Sequence, residues 1–443
     1  MVPKKSPSTN PKNLKIKETL AQTRERRKTQ TARVIRLKLF TNKLSSDTQE
    51  HLRRLFLEAK WFRNAIVGSP SVFAFDPKVK IIPVHVGENV EHRPLTVLSS
   101  QMKQGLLTQV KDDIKSLAQK KSAGYKIGKL KFTSQLTTIP LKQYSKTYQL
   151  QVPTHIKLEK LKPWLRVTGF DQFPGTYECA NAQLVQKSDG YYLHVTLYVP
   201  KVEPLNMEKS IGGDLGIANQ LTLSNGIQIQ YGFPLPARIR GLQKALTRKE
   251  RYSANWYRTK TKLERVLQHW RNQKEDTTNK LVHVLTNNYD YICLQNDPIA
   301  NWQRLWGTRI LNTALGSLVS KLKRKTTHFC LVERWTATTK RCSQCDTILP
   351  EALDLNERIF TCSNPICGYT APRDRNAAEC IEKLGLIEYA LEHQLSPDLT
   401  LSSSVTLNSS PVEPGSTPTE ATVPTALIEQ LNAIHGVVAN RCQ

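Results

Sequence analysis

Residues 341–381 read RCSQCDTILPEALDLNERIFTCSNPICGYTAPRDRNAAECI, and they hold two close cysteine pairs followed by a helix-like stretch. Cys342 and Cys345 are separated by two residues, whereas Cys362 and Cys367 are separated by four. Two thiolate pairs on two turns can close a tetrahedral site around Zn²⁺. Because all four ligands are cysteines, no position is left open for catalysis, and the spacing predicts a structural zinc ribbon. Free buried thiols or a redox pair are the alternatives.

Three acidic residues outside the cysteine pairs are candidate metal ligands. Asp214 lies between small residues in IGGDLG, Asp297 follows the apolar stretch YICLQ, and Asp374 begins the helix-like stretch after the ribbon. Taken one by one, they could be a hydrogen-bonded strand residue, a turn residue before proline and a first-turn helix acid. If they converge, they could hold two divalent ions, one activating a water and the other stabilising a leaving 3′ oxygen. That chemistry is phosphodiester hydrolysis.

Charge is the strongest feature of the composition. The formal net charge is +27, although residues 385–443 are acidic. The positive charges of so basic a protein repel one another unless a polyanion neutralises them, so nucleic acid is the expected partner. The alternative is that the charge serves only to keep the protein soluble. No stretch approaches the ~20 apolar residues of a membrane span, and the start lacks the apolar core of a signal peptide. Nine cysteines, an odd number, fit a reducing compartment better than a disulfide scaffold.

Hydrophobic periodicity predicts most of the remaining elements. In the first half it predicts a strand over 34–40, helices over 46–66 and 99–120, and a β-rich module over 130–200. In the second half it predicts a strand pair over 211–232, a basic helical region over 237–288, a short strand at 291–294 and a helix over 374–386. The Ser/Thr/Pro-rich composition after residue 394 predicts a disordered tail, in which a short apolar stretch near 426–438 could form a helix of its own.

Four motifs resemble, in this order, TnpB, the RNA-guided nuclease of insertion sequences, and its relatives, the miniature type V CRISPR effectors. They are GGDLGIANQLTLSNG, YDYICLQND, TATTKRCSQC with CSNPICGY, and RDRNAAECI. The resemblance runs over most of 34–386 and is most specific at the ribbon and RDRNAA. It implies an α+β multidomain protein whose RuvC-like nuclease domain has an RNase H-like fold with a mixed five-stranded sheet. A zinc ribbon with four cysteine ligands is inserted into that domain, and a β-rich wedge domain with a helical recognition insert precedes it.

The resemblance also implies a division of the chain into domains. It gives a basic disordered arm at 1–33, a wedge-like β domain at 34–44 and 125–205, a helical recognition insert at 45–124, a RuvC-like nuclease domain at 206–335 and 369–393, a zinc ribbon at 336–368 and a low-complexity tail at 394–443.

Two of the three acids correspond to catalytic residues of the family. The resemblance makes Asp214 the first catalytic acid and Asp374 the third. Arg373 and Asn376 match the motif around the third acid. The two threonines before the ribbon, Thr338 and Thr339, match polar residues of the family.

The middle acid departs from the family pattern, because Gln295 stands where the family usually has glutamate. Glutamine is neutral and a poorer Mg²⁺ ligand than a carboxylate. Residues i and i+2 of a strand face the same side about 6.6 Å apart, so Asp297 could replace the missing carboxylate. Some family members show a similar arrangement, with Gln-Asp-Glu leading into Ile-x-x-Trp. Either Asp297 supplies the middle ligand or catalysis is lost.

The leading hypothesis is an RNA-guided, Mg²⁺-dependent DNA endonuclease with guide RNA and target double-stranded DNA as partners and no membrane association. Structural Zn²⁺ and two catalytic Mg²⁺ ions are its expected cofactors, and the prokaryotic cytoplasm, at the nucleoid, its expected location. The alternative is a catalytically impaired RNA-guided DNA-binding protein that represses or recruits. A plain zinc-ribbon nucleic-acid binder without a guide is a third class, which leaves the β-rich module unexplained.

Overall fold

The computed structural model describes residues 11–87, 89–201, 209–326, 328–351, 353–354, 356–393 and 425–441. The chain forms two compact units, residues 1–202 and 203–443. The expected boundary between residues 205 and 206 lies outside the described residues. In the described part of the chain, no helix is both long enough and apolar enough to cross a membrane.

A seven-stranded sheet forms the centre of the first unit. Its strands are β1 Gln30–Leu39, β4 Thr138–Leu141, β5 Tyr148–Gln151, β6 His155–Leu158, β7 Leu165–Thr168, β8 Glu178–Lys187 and β9 Gly190–Pro200. They lie in the order β4-β8-β9-β1-β7-β6-β5, with antiparallel neighbours throughout. Leu193, Val195 and Leu197 of β9 are buried in alternation with less buried neighbours, as the period-two pattern predicts.

In the part of the first unit that the structure describes, three α-helices and a hairpin accompany this sheet. They are α1 Pro11–Lys28, α2 Ser46–Gly68, the hairpin β2 Ile81–Val86 with β3 Asn89–Pro94, and α3 Ser100–Ser122. The α2 helix begins where Ser45 Oγ accepts a hydrogen bond from the backbone N–H of Thr48 at 3.3 Å. Leu52 and Phe62 of α2 and Leu106 of α3 are buried in the same core as the sheet, in agreement with the helical periodicity.

The prediction of a disordered basic arm over 1–33 is wrong for its described part. Residues 11–28 form helix α1, and strand β1 begins at Gln30. Arg26 and Arg27 both form ion pairs with Glu178, at 3.0 and 2.8 Å, and the Arg27 guanidinium lies 3.3 Å from the centre of the Tyr198 ring. These partners on β8 and β9 are distant in sequence, so local charge could not predict them.

A six-stranded mixed sheet forms the centre of the second unit, one strand more than the resemblance implies. Its strands are β10 Ser210–Asp214, β11 Leu221–Leu223, β12 Ile227–Tyr231, β13 Tyr291–Gln295, β14 His328–Val332 and β17 Val437–Arg441. They lie in the order β14-β13-β10-β11-β12-β17. The neighbours β10, β13 and β14 are parallel, and the other pairs are antiparallel. The carboxyl ends of β10 and β13 therefore meet at one edge of the sheet.

The described helices of the second unit pack on this sheet or on one another. They are α4 Ala237–Thr247, α5 Ala254–Asn288, α6 Ile299–Trp306, α7 Thr308–Thr313, α8 Leu315–Lys325, α9 Arg373–Glu392 and α10 Thr425–Asn432. Helix α9 lies directly on the sheet because glycines allow a close approach. A Cβ atom on Gly212 would lie 2.1 Å from the carbonyl oxygen of Ala378, and one on Gly385 would lie 2.9 Å from Cβ of Cys293.

The prediction of a low-complexity tail over 394–443 is wrong for residues 425–441, while 394–424 and 442–443 lie outside the described residues. Strand β17 pairs antiparallel with β12, from Ile227 opposite Arg441 to Tyr231 opposite Val437. Helix α10 forms where the sequence allows a short helix, and it buries Leu427 and Leu431 in the core of the six-stranded sheet. The apolar residues of this segment are thus covered by tertiary contacts that its surrounding composition does not indicate.

Candidate metal centre and acidic site

Four cysteine sulfurs form a compact cluster in the second unit. Sγ of Cys342 lies 3.8 Å from Sγ of Cys367, and Sγ of Cys345 lies 3.5 Å from Sγ of Cys362. All four sulfurs lie within 4.8 Å of one another. Ligands about 2.3 Å from a central zinc in a tetrahedron are about 3.8 Å apart. The cluster therefore has the dimensions of a tetrahedral thiolate site, and its ligands are the four that the sequence predicts.

The cysteine cluster is joined to helix α9 by buried hydrogen bonds. Asn376, which is fully buried, donates from Nδ2 to the carbonyl of Arg341 at 2.8 Å and accepts from the backbone N–H of Ser343 at 3.0 Å. Glu379 accepts from Ser343 Oγ at 2.7 Å and from the Tyr369 hydroxyl at 2.8 Å. The role of Glu379 was not predicted, although it lies one turn from Asn376 and could have been found from that spacing.

Asp214 is the last residue of strand β10. Gly212 faces α9, while a Cβ on Gly213 would meet Leu221 and Leu294 on the opposite side. Because side chains alternate along a strand, Asp214 points to the same face as Gly212. The first predicted acid thus lies on the face of the sheet that helix α9 covers.

The carboxylate of Asp214 is influenced by both other predicted acids. Burial raises the pKa of Asp214 well above its usual range, and the negative charges of Asp374 and Asp297 raise it further. The charge of Arg373 and the backbone N–H of Leu215 act in the opposite direction without cancelling the rise. The fold therefore brings the carboxylates of Asp374 and Asp297 within electrostatic range of Asp214, although the three residues come from widely separated parts of the chain.

Asp297 lies just beyond the end of β13, in a turn that leads into α6. Its backbone N–H donates to the carbonyl of Gln295 at 2.9 Å, and its own carbonyl accepts from the N–H of Ile299 at 2.9 Å. Burial raises the pKa of Asp297 to about 6, against the opposing positive charge of Arg334. The predicted turn role of Asp297 and its place beside the other acids are thus compatible.

The side chain of Gln295 is fully engaged by the loop after β14. Its Nε2 donates to the carbonyl of Thr336 at 2.9 Å and lies 3.3 Å from the carbonyls of Glu333 and Arg334. Its Oε1 accepts from Thr338 Oγ1 at 2.9 Å, and the Thr338 side chain is buried. Gln295 therefore ties two loops together at the edge of the acidic site, a role that the sequence did not reveal.

Asp374 lies in the first turn of α9, directly after the β15–β16 pair of Ile359–Thr361 and Thr370–Pro372. Its neighbour Arg373 donates from Nη1 to the carbonyl of Asp354 at 2.8 Å. The start of α9 is thus held by contacts with the segment between the two cysteine pairs.

The two predicted sites differ in how closely their ligand atoms are gathered. Among the described residues, the cysteines are the only set of three or more His, Cys, Asp or Glu side chains whose ligand atoms all lie within 4.8 Å. The carboxylates of Asp297 and Asp374 both act on Asp214, but the three acids do not form so tight a set. A single ion could bind all three acids only if it drew their oxygens closer together, whereas two ions could share acids that are further apart.

Two family models match the second half of the chain and the end of the first. The model described as "Probable transposase" matches residues 193–296, and the model described as "Cas12f1-like, TNB domain" matches residues 315–381. The first match includes Asp214 and Gln295, and the second includes all four clustered cysteines and Asp374. These matches cover the regions on which the resemblance to TnpB was most specific.

Curated relatives of this chain carry names that agree with these two family models. A protein of Streptomyces pristinaespiralis named "Putative RNA-guided DNA endonuclease" is 28% identical over 197 residues, which are 42% of this chain and 48% of that protein. A TnpB-like protein of Acanthamoeba polyphaga mimivirus is 30% identical over 226 residues, 43% of this chain and 41% of that protein. The chain thus spans less than half the length of these relatives.

Among solved structures, a Cas12f1–sgRNA–target DNA complex contains a chain with a TM-score of 0.42 to this one at 12% identity, covering 80% of this chain and 99% of that chain. The family models and the curated relatives are all similar to parts of this chain, and their names include those of TnpB-like and Cas12f1-like proteins. They bear out the resemblance to TnpB that the sequence motifs indicate.

Proposed function

We propose that this chain is an RNA-guided, Mg²⁺-dependent DNA endonuclease with a RuvC-like active site. The observation that carries the proposal is the pKa of Asp214, which burial raises and which the negative charges of Asp374 and Asp297 raise further. Carboxylates that share a partly buried site destabilise one another unless a proton or a cation neutralises them. Hard divalent cations with oxygen ligands are the chemistry that such a site favours.

Asp214, Asp297 and Asp374 would hold two Mg²⁺ ions. When bound, such ions supply an activated water and stabilise the leaving 3′ oxygen of a phosphodiester. Asp214 and Asp297 must lose their protons before they can act as ligands, because burial favours their neutral forms. Arg373 and Arg334 supply positive charge beside these two carboxyl groups, which favours their ionised forms.

The four cysteines would hold a structural Zn²⁺. Their spacing suits a closed tetrahedral site, which leaves no open position for catalysis. The hydrogen bonds of Asn376 and Glu379 would transmit the order of that ribbon to helix α9. The zinc ribbon would therefore fix the start of the helix on which Asp374 lies.

Guide RNA and target double-stranded DNA are the proposed partners. Base pairing with the guide would read the target sequence, and the protein would read a short flanking motif and the nucleic-acid backbone. The net charge of +27 supports binding to a large polyanion. Basic residues of α4 and α5 and of the first unit would contact phosphates, and the wedge-like domain and recognition insert would lie in that unit. Such a protein would act at the nucleoid of a prokaryotic cytoplasm.

The second candidate is an RNA-guided DNA-binding protein without cleavage activity. It is favoured by Gln295, whose neutral amide replaces the usual glutamate. The hydrogen bonds of Gln295 to the loop at 333–338 weaken this alternative, because they give the amide a structural use. Asp297, two residues further on, remains available as the middle ligand.

The test begins with purification of the full chain together with the RNA that it carries, and sequencing of that RNA. The complex is then incubated with Mg²⁺ and a plasmid library that places the matching target beside randomised flanks. We expect cleavage next to a defined flank. Asp214→Ala and Asp297→Ala should each abolish it, whereas the control Asp276→Ala, on the exposed surface of α5, should leave it unchanged.

The other possible results of this experiment distinguish between the candidate functions. Guided binding without cleavage would support the second candidate. Cleavage that survives Asp297→Ala would exclude Asp297 as the middle ligand. Failure to retain any specific RNA would overturn both candidates and leave a plain zinc-ribbon nucleic-acid binder.

A further inference from the structure

A short loop lies beside the acidic site and carries an exposed aromatic side chain. The loop at residues 333–338 follows strand β14, and Trp335 on it is 79% exposed. The guanidinium of Arg334 lies 4.4 Å from the centre of the Trp335 ring. The ring is therefore presented to solvent together with a cation and is not used to fill the core.

The position of this loop is fixed by Gln295. The amide nitrogen reaches the carbonyls of three loop residues, and Oε1 accepts from Thr338. Gln295 is two residues before Asp297, so the same strand end carries both the tether and the candidate middle ligand. The charge of Arg334 also acts on the carboxyl group of Asp297, which places the loop within electrostatic range of the acids.

A glutamate could not hold the loop in this way. Its carboxylate is acceptor-only when ionised, and it would face the carbonyl oxygens of Glu333, Arg334 and Thr336 without a proton to donate. Glutamine is thus matched to this loop conformation. Its presence is explained by the loop that it holds, independently of any loss of catalysis.

We propose that Arg334 and Trp335 form a subsite for an unpaired nucleotide of the DNA strand at the acids, and that Gln295 is its positioning residue. An exposed indole offers a stacking surface to a base, and a neighbouring guanidinium offers a charge-assisted contact to the adjacent phosphate. Single-stranded nucleic acid is the ligand whose chemistry matches both groups. This inference rests on the proposed function, since it assigns the strand to the substrate DNA.

The experiment uses the full chain with the RNA that it carries, without added divalent ion, so that binding is read without cleavage. Single-stranded DNA oligonucleotides carry 2-aminopurine at successive positions, and quenching of its fluorescence reports stacking. We expect strong quenching at one or two adjacent positions. Trp335→Ala should remove it and raise the Kd about tenfold, and Trp335→Phe should restore part of it.

Further variants test the positioning role of Gln295. Gln295→Glu should reduce the quenching at the same positions without changing the melting temperature of the second unit by more than a few degrees. Trp164→Ala is the matched control, because Trp164 is a partly exposed tryptophan of the first unit with Lys157 near its ring. It should leave the quenching unchanged.

Three results would overturn the inference. They are quenching that survives Trp335→Ala, an equal loss of quenching in Trp164→Ala, and quenching that is seen only when the oligonucleotide is RNA. Failure of the proposed function would be seen separately. In that case the full complex would not cut DNA in Mg²⁺, while the position-specific quenching by Trp335 would persist.

Discussion

Asn376 on helix α9 donates a hydrogen bond of 2.8 Å to the carbonyl of Arg341, the residue directly before the first clustered cysteine. The same side chain accepts from the backbone N–H of Ser343 on the other side of that cysteine. One buried amide thus spans both flanks of Cys342. Because Asp374 lies two residues before Asn376, the cysteine cluster and the acidic site are mechanically connected through the first turn of α9.

Asn376→Ala is expected to lower the free energy of unfolding of the second unit by about 2–4 kcal/mol. The replacement leaves the buried N–H of Ser343 without its partner and leaves the carbonyl of Arg341 with only the weak thiol donor of Cys380. Urea unfolding would measure the change. Asn272→Ala, at an exposed position of α5, is the control and should change stability by less than about 0.5 kcal/mol. Equal stability of the two variants would contradict the proposed connection.

Cys345→Ser is expected to reduce bound zinc from about one ion per chain to near zero. A structural zinc site contributes folding free energy directly, so the ribbon and the start of α9 should become sensitive to protease. Elemental analysis and limited proteolysis would measure both effects. Cys179→Ser, which removes a cysteine of the first unit, should retain the metal. Full zinc content in Cys345→Ser would show that the four sulfurs do not form the site.

Asp214→Asn is expected to raise the melting temperature of the protein without divalent ions, by roughly 3 °C or more at pH 7.5. Burial and the charges of Asp374 and Asp297 raise the folded-state pKa of Asp214 above its unfolded value. The aspartate therefore favours the folded state below the unfolded pKa, and this contribution is lost as the pH rises through the folded pKa. The neutral asparagine removes the unfavourable charge. The gain in melting temperature should therefore be smaller near pH 5, where more of the wild-type Asp214 is protonated.

Thermal unfolding at both pH values would measure this difference, with the exposed Asp276→Asn as control. Added Mg²⁺ should give the wild-type protein the higher melting temperature of the two, because the ion binds to its folded state and stabilises it. An unchanged melting temperature at pH 7.5 would mean that Asp214 is not destabilised by its surroundings.

Glu58→Ala is expected to lower the stability of the first unit by about 3 kcal/mol. The Glu58 side chain is fully buried and accepts hydrogen bonds from three consecutive backbone N–H groups, a hydroxyl and a guanidinium: those of Thr96, Val97 and Leu98, Thr96 Oγ1 and Arg54 Nε. Removal of the carboxylate would leave these donors unsatisfied. Urea unfolding would measure the loss, and Glu50→Ala, on the exposed face of the same helix, should have little effect.

The loss of stability in Glu58→Ala should depend on pH, and the direction follows from the pKa of Glu58. Burial raises the pKa of Glu58, but the hydrogen bonds outweigh it and hold the pKa below its usual value. Its contribution is therefore present above the unfolded pKa of about 4.3 and is lost as the pH falls through the folded pKa. The difference between wild type and Glu58→Ala should narrow below about pH 4. A difference that widens in acid would contradict this assignment.

The amino-acid sequence by itself determined the features that depend on local spacing. The two cysteine pairs predict the sulfur cluster, because ligands two to four residues apart must share one turn each. The apolar stripes predict α2 and α3, and the alternation in residues 130–200 predicts β-strands, since each pattern follows the period of one element. Asp214, Asp297 and Asp374 could be named as candidates, but spacing alone could not bring them together.

Only the tertiary structure decided the features that depend on partners distant in sequence. The bonds of Gln295 to a loop about forty residues away, the ion pairs of Arg26 and Arg27 with Glu178, and the pairing of β17 with β12 have no local signature. The same holds for Gly212, whose missing side chain lets α9 approach β10. Local composition describes a segment by itself, whereas packing and hydrogen bonding depend on which other segment the fold places against it.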